Sequence, residues 1–162
     1  MASPPWWKGS RGEWYVIVQF ALLGLIALAP LWPGGRLVPA RPAALALRGL
    51  GLLLGGLGLL LVLAGVATLG RNLSALPHPK QDAELVESGV YRWVRHPIYS
   101  GLVFGSFGWG LLALSWLALL LALALFFVLD AKARREERFL VAKFPAYHSY
   151  QRRVHKLIPF VY

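Results

Sequence analysis

Apolar residues run along this chain in long blocks, and the charges fall between them. No Asp, Glu, Lys or Arg occurs between Gly49 and Gly70, or between His96 and Leu129. A helix needs about 20 apolar residues to cross the hydrocarbon core of a bilayer, so the blocks predict membrane spans. The first runs from about 14 to 31 and the second from about 47 to 69. The stretch from Ile98 to Leu129 is too long for one ordinary span. A break at Leu114-Ser115-Trp116 divides it into a tight helical hairpin, with arms over 98–113 and 115–131. The first arm is short, about 24 Å at 1.5 Å per residue. The second meets no helix breaker before Pro145 and is expected to continue past Asp130 into water. The expected fold is all-α: a polytopic membrane protein of about four transmembrane helices plus a C-terminal cytoplasmic amphipathic helix, in a single domain covering 1–162.

The polar segments complete this picture. Pro33-Gly34-Gly35-Arg36 to Arg41-Pro42 reads as a turn-rich loop. Residues 70–97 form the one long polar loop between spans, and Leu85, Val86, Val90, Tyr91 and Trp93 within it argue against disorder. In the 132–162 tail, Tyr147, Tyr150, Val154 and Ile158 recur at near-helical spacing among basic residues, which predicts a helix lying on the membrane surface. Gly51 and Gly55, with Gly56 and Gly58, let another helix backbone approach closely, and packing within one protomer is the expected use. Trp6, Trp7, Trp14, Tyr15 and Trp32 fall near the ends of the first span, where interfacial aromatics belong.

Composition agrees with a membrane class: 57% of the 162 residues are hydrophobic and 15% charged. The formal net charge of +10 would raise the question of nucleic acid in a soluble protein. Here the basic residues flank apolar spans, so orientation and contact with anionic headgroups account for them. Four spans place both termini, the 70–97 loop and 14 of the 17 Lys and Arg on one side, leaving Arg36, Arg41 and Arg48 opposite. The positive-inside rule makes the basic side cytoplasmic. The N-terminus has no short apolar region followed by a small-residue cleavage site, so the first run is expected to be a retained helix. With no recognisable organelle signal, the chain reads as a prokaryotic inner-membrane protein with membrane lipids as its surroundings. Absence of cysteine removes disulfides, thiolate catalysis and Cys-based metal sites, and no His/Asp/Glu cluster suggests a metal.

The topology brings Arg95, His96 and Tyr99, at the start of the third helix, to the level of Lys132, Glu136 and Glu137 on the fourth. Adjacent carboxylates and aromatics suit a cationic ligand, whereas arginine and histidine suit a carboxylate or phosphate. The membrane side suits a lipid tail. A ligand with a positive centre, a carboxylate and an aromatic base fits the polar half, and S-adenosylmethionine has all three. Plainer readings compete. Arg95-His96-Pro97 reads equally as an interfacial anchor with proline at the first helical position. Glu136 and Glu137 read as a solvated face, with Lys132–Glu136 and Asp130–Arg134 as i,i+4 pairs. His78, His148 and His155 are expected to face solvent or the interface.

From Glu84 to Gly101 the sequence ELVESGVYRWVRHPIYSG resembles the core motif of the isoprenylcysteine carboxyl methyltransferase family, much of which phospholipid methyltransferases share. Glu136-Glu137-Arg138-Phe139-Leu140 is similar to the family's EE-x-x-L element, and Phe144, Tyr147, Tyr150 and the ending Leu157-Ile158-Pro159-Phe160 fit as well. The resemblance covers about 72 to 160; the first two spans resemble the family only in being hydrophobic. It implies a cytoplasmic-facing S-adenosylmethionine site closed by the C-terminal segment. By position, Leu85, Val86, Tyr91, His96, Pro97 and Tyr99 would line the cofactor pocket, and Glu136 would contact the cofactor's amino end. Lys132 stands where the family has an arginine that approaches the methyl acceptor, and Arg95 or Arg135 are alternatives for that role. A carboxylate acceptor needs positioning by Lys132 or Arg95 and no base; an amine acceptor makes Glu137 a candidate base.

The expected activity is therefore methyl transfer to a lipophilic small molecule or lipid, like that of the isoprenylcysteine carboxyl O-methyltransferases. Phospholipid N-methylation is the alternative within the family. RHP-x-Y also occurs in NADPH-dependent membrane sterol reductases, which gives a second class, and a non-enzymatic lipid-binding protein is a third. Nucleic acid is not an expected partner, and the sequence leaves the oligomeric state open.

Overall fold

The computed structural model describes residues 12–78 and 82–162. Trp6 and Trp7, noted above, lie outside the described residues. Among the described residues five α-helices follow in order: α1 Glu13–Leu28, α2 Arg41–Leu69, α3 Pro97–Leu112, α4 Trp116–Lys143 and α5 Tyr147–Arg153. Short 3-10 turns extend α1 to Leu31, continue α2 through Gly70–Asn72 and precede α3 at Gly89–Arg92. Among the described residues extended pairing is limited to isolated bridges, Arg36 with Ser115 and Val94 with His155.

Among the described residues three stretches are long and apolar enough to cross a membrane: Glu13–Leu31, Arg41–Asn72 and Trp116–Lys143. Their surfaces agree, since Phe20, Leu28, Leu53 and Leu60 are each at least 60% exposed. Apolar patches of that extent belong against lipid. α2 starts six residues earlier than expected, because Pro42 in its first turn lacks only an amide hydrogen that would have no helical partner there. α3 has 16 residues, matching the expected short arm.

The hairpin falls where the sequence placed it. Leu114 adopts a positive φ of 50°, the amide of Ser115 donates to Gly110 O at 2.9 Å, and Ser115 Oγ caps α4 by accepting from Ala118 N at 3.2 Å. The α1–α2 loop joins the same turn through Leu37 N donating to Leu114 O at 2.6 Å and Trp116 Nε1 donating to Gly34 O at 3.0 Å.

α2 lies along α3, and α4 contacts both α3 and α1. Gly51 and Gly58 of α2 serve this packing within the protomer. A Cβ at Gly58 would stand 2.6 Å from Gly101 O, and one at Gly51 2.8 Å from Gly108 O, so only glycine permits this approach. Ile26, Val103, Leu125 and Leu129 form the core between α1, α3 and α4. α4 continues as one helix to Lys143, carrying its charged turns beyond the apolar stretch.

The tail departs from expectation. α5 has seven residues, and Tyr147 and Tyr150 are each 2% exposed, turned into the protein rather than onto a membrane surface. After Arg153 the chain is extended, held by Arg95 N donating to His155 O at 2.8 Å and His96 N to Lys156 O at 3.1 Å. The apolar stripe read as a lipid-facing helix is instead consumed by packing against the 88–96 segment and α4.

Candidate functional site

Three chain segments meet where the long loop runs into α3. Pro97 starts the helix and leaves His96 just outside it, with an extended-side φ of −125°. This places Arg95, His96 and Tyr99 against the charged turns of α4, while the strap over 154–157 closes from behind.

Glu136 and Glu137 take different parts. Glu137 is 8% exposed; its Oε1 accepts from Arg95 Nε at 2.8 Å and lies 3.2 Å from His96 Nε2, and its Oε2 accepts from Gln151 Nε2 at 3.1 Å. Arg95 also donates through Nη1 to Gln151 O at 2.9 Å and to Val154 O. Burial alone would raise the Glu137 carboxyl, but the hydrogen bonds and charges of His96 and Arg95 outweigh it and bring it down to about 2. The Arg95–Glu137 pair thus ties together the start of α3, α4 and the strap.

Glu136 turns the other way. Its Oε2 accepts from Tyr99 Oη at 2.7 Å and lies 3.9 Å from His96 Nδ1, with the His96 and Tyr99 rings stacked at 5.3 Å. It lines an open pocket together with Leu85, Val86, Tyr91, Arg95, His96 and Tyr99. The wall also takes in Asn72, Leu140, Phe144, Tyr147 and Tyr150. Tyr150 Oη donates to Tyr91 O at 2.6 Å, locking the strap side to the loop. Burial pushes the phenols of Tyr91, Tyr147 and Tyr150 above their ordinary range, with Glu136 adding to the effect at Tyr91. They stay neutral at physiological pH and offer aromatic faces and hydroxyls, not bases.

Of the eleven residues given a cofactor, acceptor or base role from the sequence, seven line this pocket. Pro97, Lys132, Arg135 and Glu137 stand outside its wall. Lys132 is 1% exposed, and the expected Lys132–Glu136 ion pair is not formed. Its Nζ instead donates to Gln19 Oε1 of α1 at 2.7 Å and lies 4.8 Å from the centre of the Tyr99 ring, directly behind the pocket wall. The expected Asp130–Arg134 pair is formed, and Asp130 also accepts from Lys156 Nζ at 2.6 Å. His78, His148 and His155 are exposed, as expected; His78 packs 5.0 Å from Phe139. Among the described residues no group of three or more His, Asp or Glu is placed to hold a metal.

Gln19 was not foreseen. Its signal was present, since it is the lone amide in the first apolar run, and a polar side chain at membrane depth marks either a partner or a function. Tyr147 and Tyr150 had been assigned to a lipid-facing stripe, whose spacing serves a buried face equally well.

A helical membrane protein thus carries, at one end of its bundle, an open pocket that combines a carboxylate, a histidine and several aromatic faces. That arrangement defines a class: helical membrane proteins with a polar and aromatic pocket at one end of the bundle. The sequence matches the family model for phospholipid methyltransferase over residues 47–146, and the chain belongs to that family. It is 36% identical over 151 residues to the cobalt-zinc-cadmium resistance protein CzcN of Cupriavidus metallidurans, covering 91% of this chain and 62% of that one. It is 32% identical to the protein-S-isoprenylcysteine O-methyltransferase of Saccharomyces cerevisiae, covering 94% and 66%. Among solved structures it resembles a eukaryotic intramembrane Ras methyltransferase, an isoprenylcysteine carboxyl methyltransferase, with a TM-score of 0.66, 26% identity and coverage of 94% of this chain and 54% of that one. The chain therefore spans a little under two thirds of the length of these curated relatives.

Proposed function

We propose that this protein is an S-adenosylmethionine-dependent methyltransferase that methylates the carboxylate of a lipophilic acceptor at the cytoplasmic face of its membrane. The observation that carries the proposal is Glu136, a carboxylate presented among Tyr91, Tyr99 and His96 in an open pocket at the end of the bundle. The wall suits the donor: Glu136 would take its α-ammonium, and the tyrosine faces would take its cationic sulfur and its base. When bound, S-adenosylmethionine supplies a methyl group on an electrophilic sulfur. The chain's part is to hold and align, which can supply several kcal/mol of the barrier. Tyr99 holds the Glu136 carboxylate by a hydrogen bond, and the Arg95–Glu137 pair fixes the strap that closes the site. Lys132 would meet the acceptor's carboxylate, which is ionised at neutral pH and needs no base.

Glu137 does not suit the work of a base, because both of its oxygens already accept hydrogen bonds and its carboxyl is held near 2. That favours carboxyl O-methylation over N-methylation of an amine. The relation to yeast protein-S-isoprenylcysteine O-methyltransferase supports the same choice.

Calorimetry in detergent with S-adenosylhomocysteine tests the site. Glu136→Gln is expected to weaken binding by roughly tenfold to a hundredfold, the about 1.5–3 kcal/mol of a hydrogen bond to a charged group, with the helical spectrum unchanged. Unaltered affinity would remove Glu136 from the site. Thermal protection by NADPH instead of S-adenosylhomocysteine would turn the reading to a reductase.

A further inference from the structure

Beyond the strap, Ile158 to Tyr162 fold into a tight turn in which the amides of Leu157 and Ile158 both donate to Tyr162 O at 2.7 Å. The strap itself is fixed to α3, since Leu157 O accepts from Ser100 Oγ. The turn is seated on α4. Tyr162 Oη donates to Asp130 Oδ1 at 3.1 Å and accepts from Lys156 Nζ at 2.8 Å. Lys156 Nζ lies 4.5 Å from the centre of the Tyr162 ring, and the Phe126 ring stands 6.4 Å from that ring.

What the turn presents outward is apolar. Phe160 and Val161 are 76% and 73% exposed. Phe160 also has a φ of +64°, in the left-handed region that bulky side chains rarely adopt. Glycine would form the same turn without strain and would show no apolar side chain to water. A strained residue persists where its surroundings hold it. The protein leaves this one uncovered, so the contact that favours a phenylalanine here comes from outside the chain.

Depth identifies that contact. α4 begins at Trp116, and Asp130 stands about 21 Å along its axis from there at 1.5 Å per residue. The hydrocarbon core is about 30 Å thick. The other end of the bundle gives the same level. Lys132, half a turn beyond Asp130, meets Gln19, which lies about 9 Å along α1 from its start at Glu13 at the same rise. Phe127, next to the Phe126 on which the turn rests, is exposed and belongs to the lipid-facing surface of α4. Phe160 and Val161 continue that surface. The charges at the seat are provided for, as charges at membrane depth must be: Asp130 accepts from Lys156 at 2.6 Å and pairs with Arg134, and the Tyr162 ring covers the lysine.

We propose that the 158–162 turn is a lipid-immersed latch: Phe160 and Val161 enter the acyl region of the adjoining leaflet, and the bilayer's hold on them keeps the strap shut behind the pocket. The partner is the bilayer and not a single lipid species, because the contact is apolar and Asp130, Lys156 and Arg134 already satisfy one another. The membrane contact expected of the tail is then made after α5, not by it. The lipid contact follows from geometry; its bearing on the methyl donor rests on the methyltransferase reading.

The test uses the full chain, which has no cysteine of its own, reconstituted as one copy per nanodisc of phosphatidylcholine and phosphatidylglycerol. Single-cysteine variants Phe160→Cys, Val161→Cys, Ser149→Cys and Phe127→Cys are treated with a charged, water-soluble maleimide. Phe160→Cys and Val161→Cys are expected to react several-fold more slowly than Ser149→Cys, which is exposed on α5, and about as slowly as Phe127→Cys. Reaction as fast as at Ser149→Cys would overturn the proposal. Protection found only in discs holding two copies would make the occupant a second copy and overturn it too. Hydrogen exchange of the 154–157 segment reads the latch directly. It should be several-fold faster in Phe160→Asp than in wild type and little changed in Phe160→Leu. Phe160→Gly, which relieves the backbone but gives up the contact, should exchange nearly as fast as Phe160→Asp; wild-type protection in either Phe160→Asp or Phe160→Gly would overturn the latch. Circular dichroism melting identifies a variant that has not folded, and Val161→Asp then replaces it. S-adenosylhomocysteine affinity in the same discs should follow the same order. No binding by any form, with the order of exchange intact, overturns the methyltransferase reading alone. Binding by wild type and Phe160→Asp alike overturns the latch alone.

Discussion

Glu136 and Glu137 are neighbours in sequence, and a helix turns them about 100° apart, so one reaches the pocket and the other the strap. The doublet marked the place, but the division of labour depends on which face of α4 meets Arg95. The roles also differ in their expected losses. Arg95 and Glu137 side chains are 9% and 10% exposed, and removing one partner of a buried pair typically costs about 3–5 kcal/mol. Glu137→Gln is therefore expected to lower thermal stability in detergent markedly, unlike Glu136→Gln. The pH dependence has a definite sign. A carboxyl lowered from 4.5 to about 2 on folding stabilises the protein above its unfolded value and loses that contribution as pH falls from about 4.5 towards 2. Urea or thermal melts between those limits should show the wild type losing stability more steeply than Glu137→Gln. Parallel slopes would mean that the carboxyl is not held down by its partners. Lys132 teaches a similar lesson. The i,i+4 spacing offered Glu136, but its ammonium turned inward to Gln19, over a hundred residues away in the chain.

At the scale of elements, the short arm and the turn at Leu114-Ser115 were legible because a charge-free stretch of that length had to break, and serine followed by an apolar run is a helix start. The roles of the individual glycines were not legible. Gly51 and Gly55 share a small-xxx-small pattern, yet only at Gly51 would a Cβ meet the neighbouring helix. Gly101→Ala would bring a Cβ within 2.5 Å of Gly58 O and should destabilise the α2–α3 pair by about 1–3 kcal/mol, as overpacking does. Gly105→Ala should be nearly neutral. Melting temperatures of the two variants in one detergent check this, and equal shifts would contradict the packing described. The tail was misread for a related reason: an apolar stripe on a basic helix fits a membrane surface or a protein groove, and only the neighbouring segment decides between them. Here the 88–96 segment, with the Val94–His155 bridge and the Tyr150–Tyr91 hydrogen bond, claimed the stripe.

For the whole molecule, the strap makes the site a joint product of distant parts of the chain. Deleting residues 154–162 removes the acceptors of Arg95 N and His96 N and the Lys156–Asp130 pair. The expected result is a helical protein that no longer binds S-adenosylhomocysteine; retained binding would show that the strap does not close the site. Orientation is accessible because the chain has no cysteine of its own. Val38→Cys should react with a membrane-impermeant maleimide in intact cells, and Ser149→Cys only after permeabilisation. The reverse pattern would place the pocket on the other side of the membrane.

The sequence by itself determined the class of the molecule: charge-free blocks of bilayer length admit little but helices in lipid, since backbone groups must be satisfied within each segment. It also pointed to residues that come to line one pocket, through the RHP-x-Y and EE-x-x-L elements. Tertiary structure decided what each residue there does. Whether a glycine packs or leaves space, which of two adjacent carboxylates lines the pocket, and where a buried lysine turns all depend on the neighbour at that position. Those neighbours are set by how α1, α3, α4 and the strap come together, and no local pattern records it.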